Sequence, residues 1–352
     1  VILNIHLDEL GMAREYTRGH AFEDLSSEQT RLILDRGREL YKWFKAHPRT
    51  HALINTLVIL SLFAFDFVAL LQLPHWILPS GVQHSVGLVA LAAIITGSLH
   101  SWFIYSIGIY SLHEGAAHKL IFPGKGRLSQ AAQFLAANLC RLSATDPDYY
   151  AACHMAHHAK FGTEQDSEFL NFVRPRRFWL TLLPLASFVN YSDFVAHRPL
   201  HYTRGRVISA LIGVLYNGIY AFLIYRRFGG LFTLIVLVLT PHLGFYLDRM
   251  RQFTEHNLMP LENKSGTRSF GAGFFALLIG GGPWGQPCHM AHHLVASIPW
   301  YQQIVLHRFI VGLLTEKQRR QFLLPPGLGF PRLLWRVVRD ANAFSRAAGR
   351  IT

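Results

Sequence analysis

The hexapeptide Cys-His-Met-Ala-His-His occurs twice in this chain, at 153–158 and at 288–293. Histidines at i, i+3 and i+4 share one face of an α-helix, so His154, His157 and His158 can converge on a common centre, as can His289, His292 and His293. With 20 His among 352 residues, a His-x-x-His-His string is expected by chance only about 0.06 times, so two copies ask for a chemical reason. Metal binding is the first candidate. A zinc site is complete with about four ligands, whereas a surplus of neutral imidazole, poor in carboxylate and thiolate, suits a pair of iron ions.

Three more histidines flank apolar stretches in the same way: His113 with His118, and His256 alone, which brings the candidate ligand set to nine. His113 and His118 are five residues apart and diverge by about 140° on a regular helix, so they are expected to serve different metals unless the helix end unwinds. The pair His113-Glu114 does not make a zinc-protease helix, which needs its second histidine at i+4. The remaining histidines are read as structural. His100 and His242 fall inside apolar runs, where a hydrogen-bonded packing role or a place in a tunnel wall is expected. His197 and His201 belong to a basic loop, and His6, His20, His47, His51, His75, His84 and His307 are ordinary.

The elements that must hold this set are membrane helices. The chain is 51% hydrophobic yet carries a net charge of +13, so its charges must be segregated along the sequence. Four runs, at 52–73, 86–112, 207–225 and 230–247, are long and apolar enough to cross a hydrocarbon layer of about 30 Å. The two short loops on one side hold only Arg226 and Arg227, while the other 32 Lys and Arg lie in the N-terminal segment, in the segment between the second and third runs, and in the tail. The positive-inside bias then places both termini and every histidine group in the cytoplasm. The spans also disfavour nucleic acid as the reason for the positive charge, which this orientation and anionic headgroups explain.

The expected fold is an all-α integral membrane protein with four transmembrane helices and a cytoplasmic helical cap that holds a di-metal centre. Its divisions are an amphipathic leader along the membrane surface at 1–51, hairpins at 52–112 and 207–247, and cap segments at 113–206 and 248–352. Ser26-Ser27-Glu28-Gln29 offers cap chemistry to a leader helix, and the apolar runs at 131–136 and 178–189 are too short to span. Pro241 should kink the last span. Cys140, Cys153 and Cys288 are expected to stay reduced and uninvolved. No cleavable signal pattern precedes the first apolar run, so insertion is expected to use that run itself.

Boxes of the form His-x4-His, His-x2-His-His and His-x2-His-His around four spans resemble the membrane-bound fatty acid desaturase and hydroxylase superfamily. The surroundings are similar too, with Gly162-Thr163-Glu164-Gln165-Asp166 after the second box and Pro299-Trp300-Tyr301 after the third. The resemblance implies a non-haem di-iron centre held by nine histidines: His113, His118, His154, His157, His158, His256, His289, His292 and His293. Gln252 stands where stearoyl-CoA desaturases carry an amide residue four positions before the additional histidine; here it is Gln rather than Asn, and Glu255-His256 looks more like the lipid-desaturase branch.

The implied reaction is O2-dependent oxidation of an unactivated C–H bond of a fatty acid or fatty acyl group, with desaturation as the default. The alternative within the superfamily is decarboxylation of a free fatty acid to a terminal alkene; carotenoid hydroxylation, a zinc membrane hydrolase and a metal transporter stand further off. Trp102 and Tyr105, with Phe103 and Tyr110, are candidates for the wall of an acyl tunnel, and Arg249 and Arg251 for holding a fatty carboxylate. The sequence shows no dinucleotide fingerprint, iron–sulfur cysteine set or His-Pro-Gly-Gly haem motif, so an external donor such as ferredoxin or a cytochrome is expected, and the basic face suits an acidic carrier. The expected location is the bacterial inner membrane in preference to the endoplasmic reticulum.

Overall fold

The computed structural model describes residues 23–79, 84–143, 145–161, 163, 166, 204–256, 259, 266–270, 273–284, 287–324, 331–335 and 339. The first 22 residues of the leader, the run at 178–189, His197, His201, Gly162, Glu164, Gln165 and the side chain of Arg249 lie outside these. Helices dominate the described residues, in which the only β feature is one isolated parallel bridge between Ser269 and Leu323. The chain divides into two compact units, 1–48 with 151–182 and 248–352, and 49–150 with 183–247.

The second unit reads as membrane-embedded because its helices are apolar outside and polar inside. Helix α2 (Pro48–Phe67) continues through a π-helical turn, Val68–Gln72, to Leu73–Ile77, and α3 (Val86–Tyr110) runs into a π-helical segment, Ser111–Ala117. Leu53, Leu57, Leu60, Phe67, Leu91 and Ile94 are exposed, while Asn55, Asp66, Thr96, His100 and Ser106 are buried. In water that arrangement would leave a large apolar surface uncovered; in lipid it is the stable one. Asp66 and His100 satisfy each other at 2.7 Å, and the Tyr220 hydroxyl bonds the same carboxylate. His100 thus has the hydrogen-bonded packing role expected of it.

Three helical stretches are long and apolar enough to cross a membrane: Pro48–Ile77, Val86–Ala117 and Arg206–His256. This differs from the four expected. The third and fourth apolar runs fall in one element, α6 (Arg204–His256), which departs from helical dihedrals only at Gly229 (φ 82, ψ −179). No side chain but hydrogen sits easily at that φ, so glycine marks the break. Pro241 lies inside the helix without such a departure.

Three short elements of this unit follow the first box. Gly115 leaves room for α4 (Arg127–Asn138), since a Cβ there would lie 3.1 Å from the Ala137 Cα. The Gln133 side chain donates to the Gly115 carbonyl at 2.6 Å and accepts from the Phe122 amide at 2.7 Å. A 3-10 turn, Leu139–Ser143, leads on to α5 (Pro147–Lys160), whose histidine-bearing end belongs to the first unit.

The first unit is built on α1 (Ser27–Ala46), α7 (Phe274–Ile279), α8 (His289–Leu294), α9 (Trp300–Leu313) and α10 (Glu316–Phe322). The cap chemistry expected at Ser26 is present as a reciprocal pair: Ser26 Oγ accepts the Gln29 amide at 3.1 Å, and the Gln29 side chain accepts the Ser26 amide at 2.8 Å. The apolar face of α1, Ile33, Gly37, Leu40 and Phe44, is buried. It packs on protein: Ile33 and Leu40 share a core with Met290, Ala291, Ile298, Leu306 and Ile310. The Gln29 amide also donates to the Leu313 carbonyl at 2.7 Å, tying α1 to the end of α9.

Candidate metal centre

Each histidine group is placed by a local device. The second box lies on α5, where an α-helical i, i+3, i+4 spacing puts its rings on one face. The third box forms α8; the orphan amide of Met290 in its first turn donates to Ser269 Oγ at 3.0 Å. His256 ends α6, where the last carbonyls are taken up by neighbours: Glu255 O accepts the Arg268 amide at 2.8 Å, and Thr254 O accepts Arg268 Nη1 at 3.0 Å.

These devices bring seven imidazoles together in the first unit, with their Nε2 atoms facing one another. His158 Nε2 lies 3.1 Å from that of His154 and 2.7 Å from that of His292. His293 Nε2 lies 3.4 Å from that of His157 and 3.1 Å from that of His289, which is in turn 2.8 Å from that of His256. The seven form one group of three and one of four. Neutral imidazoles that all point a ring nitrogen at a common space cannot all satisfy each other, since each such pair needs one donor and one acceptor. A cation placed there accepts lone pairs from all of them. The residues present fit metal ions.

Electrostatics favour the ligand form. His293 is fully buried, and burial first, then the repulsion of His289 and His157, holds its pKa well below the usual imidazole range. A neutral ring keeps the lone pair that a metal needs. Asp166 accepts from His157 Nδ1 at 2.9 Å, which fixes the proton on that nitrogen and leaves Nε2 to the centre. The Phe161 ring lies 5.1 to 5.4 Å from those of His157, His256 and His293, an apolar cover over one group.

In the second unit, His113 and His118 do not diverge. The π-helical segment Ser111–Ala117 closes its turn at i+5, so the His118 amide donates to the His113 carbonyl at 3.1 Å and the two rings lie 4.7 Å apart. That geometry lets one ion reach both rings. Glu114 lies 3.1 Å from His113 Nδ1, and burial holds the His118 pKa at about 4. His51 is not ordinary either. Its Nε2 donates to the Leu120 carbonyl, while Asn55 donates to Ile121 O at 2.9 Å and accepts from the Tyr110 hydroxyl at 2.6 Å. That network pins the backbone just after His118.

The other predicted site residues are placed differently. The Arg251 guanidinium is buried and bound to two protein carboxylates, Glu255 at 2.6 Å and Asp248 at 2.9 Å. Gln252 donates its amide to Asp248 at 3.1 Å. Trp102 packs edge to face on Phe65 at 5.4 Å, and Tyr105 is buried with its Cβ next to the Gly244 position. Phe161, Asp166, Glu255 and His51 are the site residues absent from the sequence-based set. Asp166 and Glu255 lay in stretches that the sequence had marked, after the second box and beside His256. Cys140, Cys153 and Cys288 are buried free thiols.

Helices with outward apolar faces and a buried many-histidine nest define a membrane protein with clusters able to hold metal ions. The chain belongs to the fatty acid desaturase family, whose profile matches residues 86–323. It is accordingly an oxidoreductase of fatty acid chains. No curated protein matches it.

Proposed function

We propose that this protein is an O2-dependent di-iron enzyme that removes hydrogen from an unactivated C–H bond of a fatty acid or fatty acyl group, and that its product is an alkene formed by desaturation. The carrying observation is the convergence of seven Nε2 atoms in two groups, in a member of this family. Seven imidazoles are more than a single ion can use. When bound, two irons supply the reductive activation of O2 that such a C–H bond demands. The polypeptide's own tasks are to keep the imidazoles neutral and aimed, through Asp166 and Glu114, and to keep water away, through burial and the Phe161 ring.

We further propose that α6 is two spans that reverse at Gly229. As one straight helix its 51-residue apolar stretch would be about 75 Å long, more than twice the hydrocarbon layer. Tyr220 stacks on His100, and Ile224 shares a core with Leu70 and Ala92; past the break, Phe232 joins that core, Gly97 meets Val236 and Leu239, and Gly244 meets Tyr105. The contacts thus run toward the N-terminal end of α3 before Gly229 and back toward its C-terminal end afterwards. Arg227 donates to His75 at 3.2 Å, which supports a turn at the same end as the first hairpin. The charge distribution supports cytoplasmic termini and an acidic electron carrier.

The test is metal content and product analysis of the purified protein supplied with O2, an electron donor and defined fatty substrates. About two irons per chain and an alkene of unchanged carbon number are expected. A hydrocarbon one carbon shorter, with released CO2, would replace desaturation by decarboxylation, and one zinc with no iron would reject the oxidase reading altogether.

A further inference from the structure

The family's histidines account for the convergent nitrogens but leave one buried carboxylate in their midst. Glu255 precedes His256 at the end of α6 and is completely buried. Its Oε2 lies 3.6 Å from His289 Nε2, and Glu255, His256 and His289 each offer a ligand atom within 4.8 Å of the others. The side of the imidazole matters here. Asp166 and Glu114 meet their histidines at Nδ1, behind the ring, where a carboxylate orients a ligand. Glu255 meets His289 at Nε2, the atom that also faces His256 at 2.8 Å and His293 at 3.1 Å. A carboxylate on that side shares the space in which the ion would sit.

We propose that Glu255 is a metal ligand of this protein, a carboxylate donor to the ion held by His256 and His289, with Arg251 as the residue that aims it. The proposal rests on the metal-centre reading above. Arg251 Nη1 donates to Oε2 at 2.6 Å, and Asp248 anchors the other arm of the same guanidinium at 2.9 Å, so the carboxylate is held from one turn earlier on its own helix. A carboxylate oxygen has two lone pairs, so the Arg251 bond leaves acceptor capacity for a cation. An anionic oxygen among neutral imidazoles also offsets part of the charge of a divalent ion in a buried site, which imidazole alone cannot do.

The experiment compares wild type, Glu255→Gln and Glu255→Asp, stripped of metal by chelation and titrated with Co(II), reading ions per chain and the visible ligand-field spectrum. Wild type should take up two ions. Glu255→Gln keeps the shape and should bind one of the two at least about tenfold more weakly, with a changed spectrum, while Glu255→Asp should fall between. Unchanged affinities and an unchanged spectrum in Glu255→Gln would overturn the assignment while leaving the metal centre standing. Failure of wild type to bind any metal removes the function reading itself, and this inference with it. Should Glu255→Gln not fold, Arg251→Met/Glu255→Gln removes the buried cation together with its partner. Weak binding of one ion by that folded double variant supports the proposal, and two tightly bound ions overturn it.

Discussion

Asp166 shows how much of the metal nest depends on residues that never face it. By accepting from His157 Nδ1 at 2.9 and 3.1 Å it sets which nitrogen keeps the proton. Asp166→Asn keeps the volume but removes the charge, and it should lower iron retention about 10- to 100-fold against a chelator, measured as ions left per chain after dialysis. His157→Ala removes the ligand and should abolish turnover. The histidines of the second and third boxes were legible because helical spacing alone aligns them, whereas the place of Glu255 was not, because its partner His289 comes from another part of the sequence. His307 gives a pH test outside the ligand set. Burial first, then the neighbouring Arg308, lowers its pKa from 6.5 to about 4. Above pH 6.5 both folded and unfolded states hold it neutral; between 6.5 and about 4 only the unfolded state takes the proton, so stability falls as pH falls and levels off below that window. The whole effect is about 3 kcal/mol. His307→Leu should flatten this limb of the thermal unfolding profile between pH 7 and pH 5 in detergent, and an unchanged slope would contradict the assignment.

Elements differ in how far their sequence announced them. The α1 start was readable from Ser26 and Gln29, whose side chains reach across a single turn. The path of α1 was not, because an amphipathic face looks alike whether it meets lipid or the Met290 and Leu306 side chains. The π-helical segment at Ser111–Ala117 was hidden for another reason. Nothing in its composition departs from an ordinary helix; what selects the wider turn is packing, with Gly115 against Ala137 and Gln133 on the Gly115 carbonyl. The polar contact between α2 and α3 was half visible, since Asp66 and His100 each stand out in an apolar run but their pairing needs the fold. Removing Asp66 leaves the buried His100 ring and the Tyr220 hydroxyl without their shared acceptor. Asp66→Leu should cost about 3 to 5 kcal/mol in detergent unfolding, and Asp66→Leu/His100→Phe should recover a good part of that. Additive losses in the double variant would show that the pair is not coupled.

At the scale of the whole molecule, composition marked the membrane class, but the number of crossings turns on Gly229. Hydropathy saw two apolar runs separated by Arg226-Arg227-Phe228-Gly229; the structure joins them in one element with a single non-helical residue. Arms of about 25 residues on each side of that residue would each be close to 40 Å long, enough for one crossing apiece. Site-specific labelling separates the two topologies cleanly, because the native thiols are buried and burial pushes Cys288 up to about 12, which leaves a low background for a maleimide. Arg226 and Lys317 are both exposed, so each can carry a single introduced cysteine. If the chain reverses at Gly229, Arg226→Cys should react with an impermeant reagent applied from outside, and Lys317→Cys only once the cytoplasmic face is opened. A single crossing would put residue 226 in hydrocarbon and leave it unlabelled from either face, whereas labelling of both positions from the same side would break the charge-based orientation together with the hairpin.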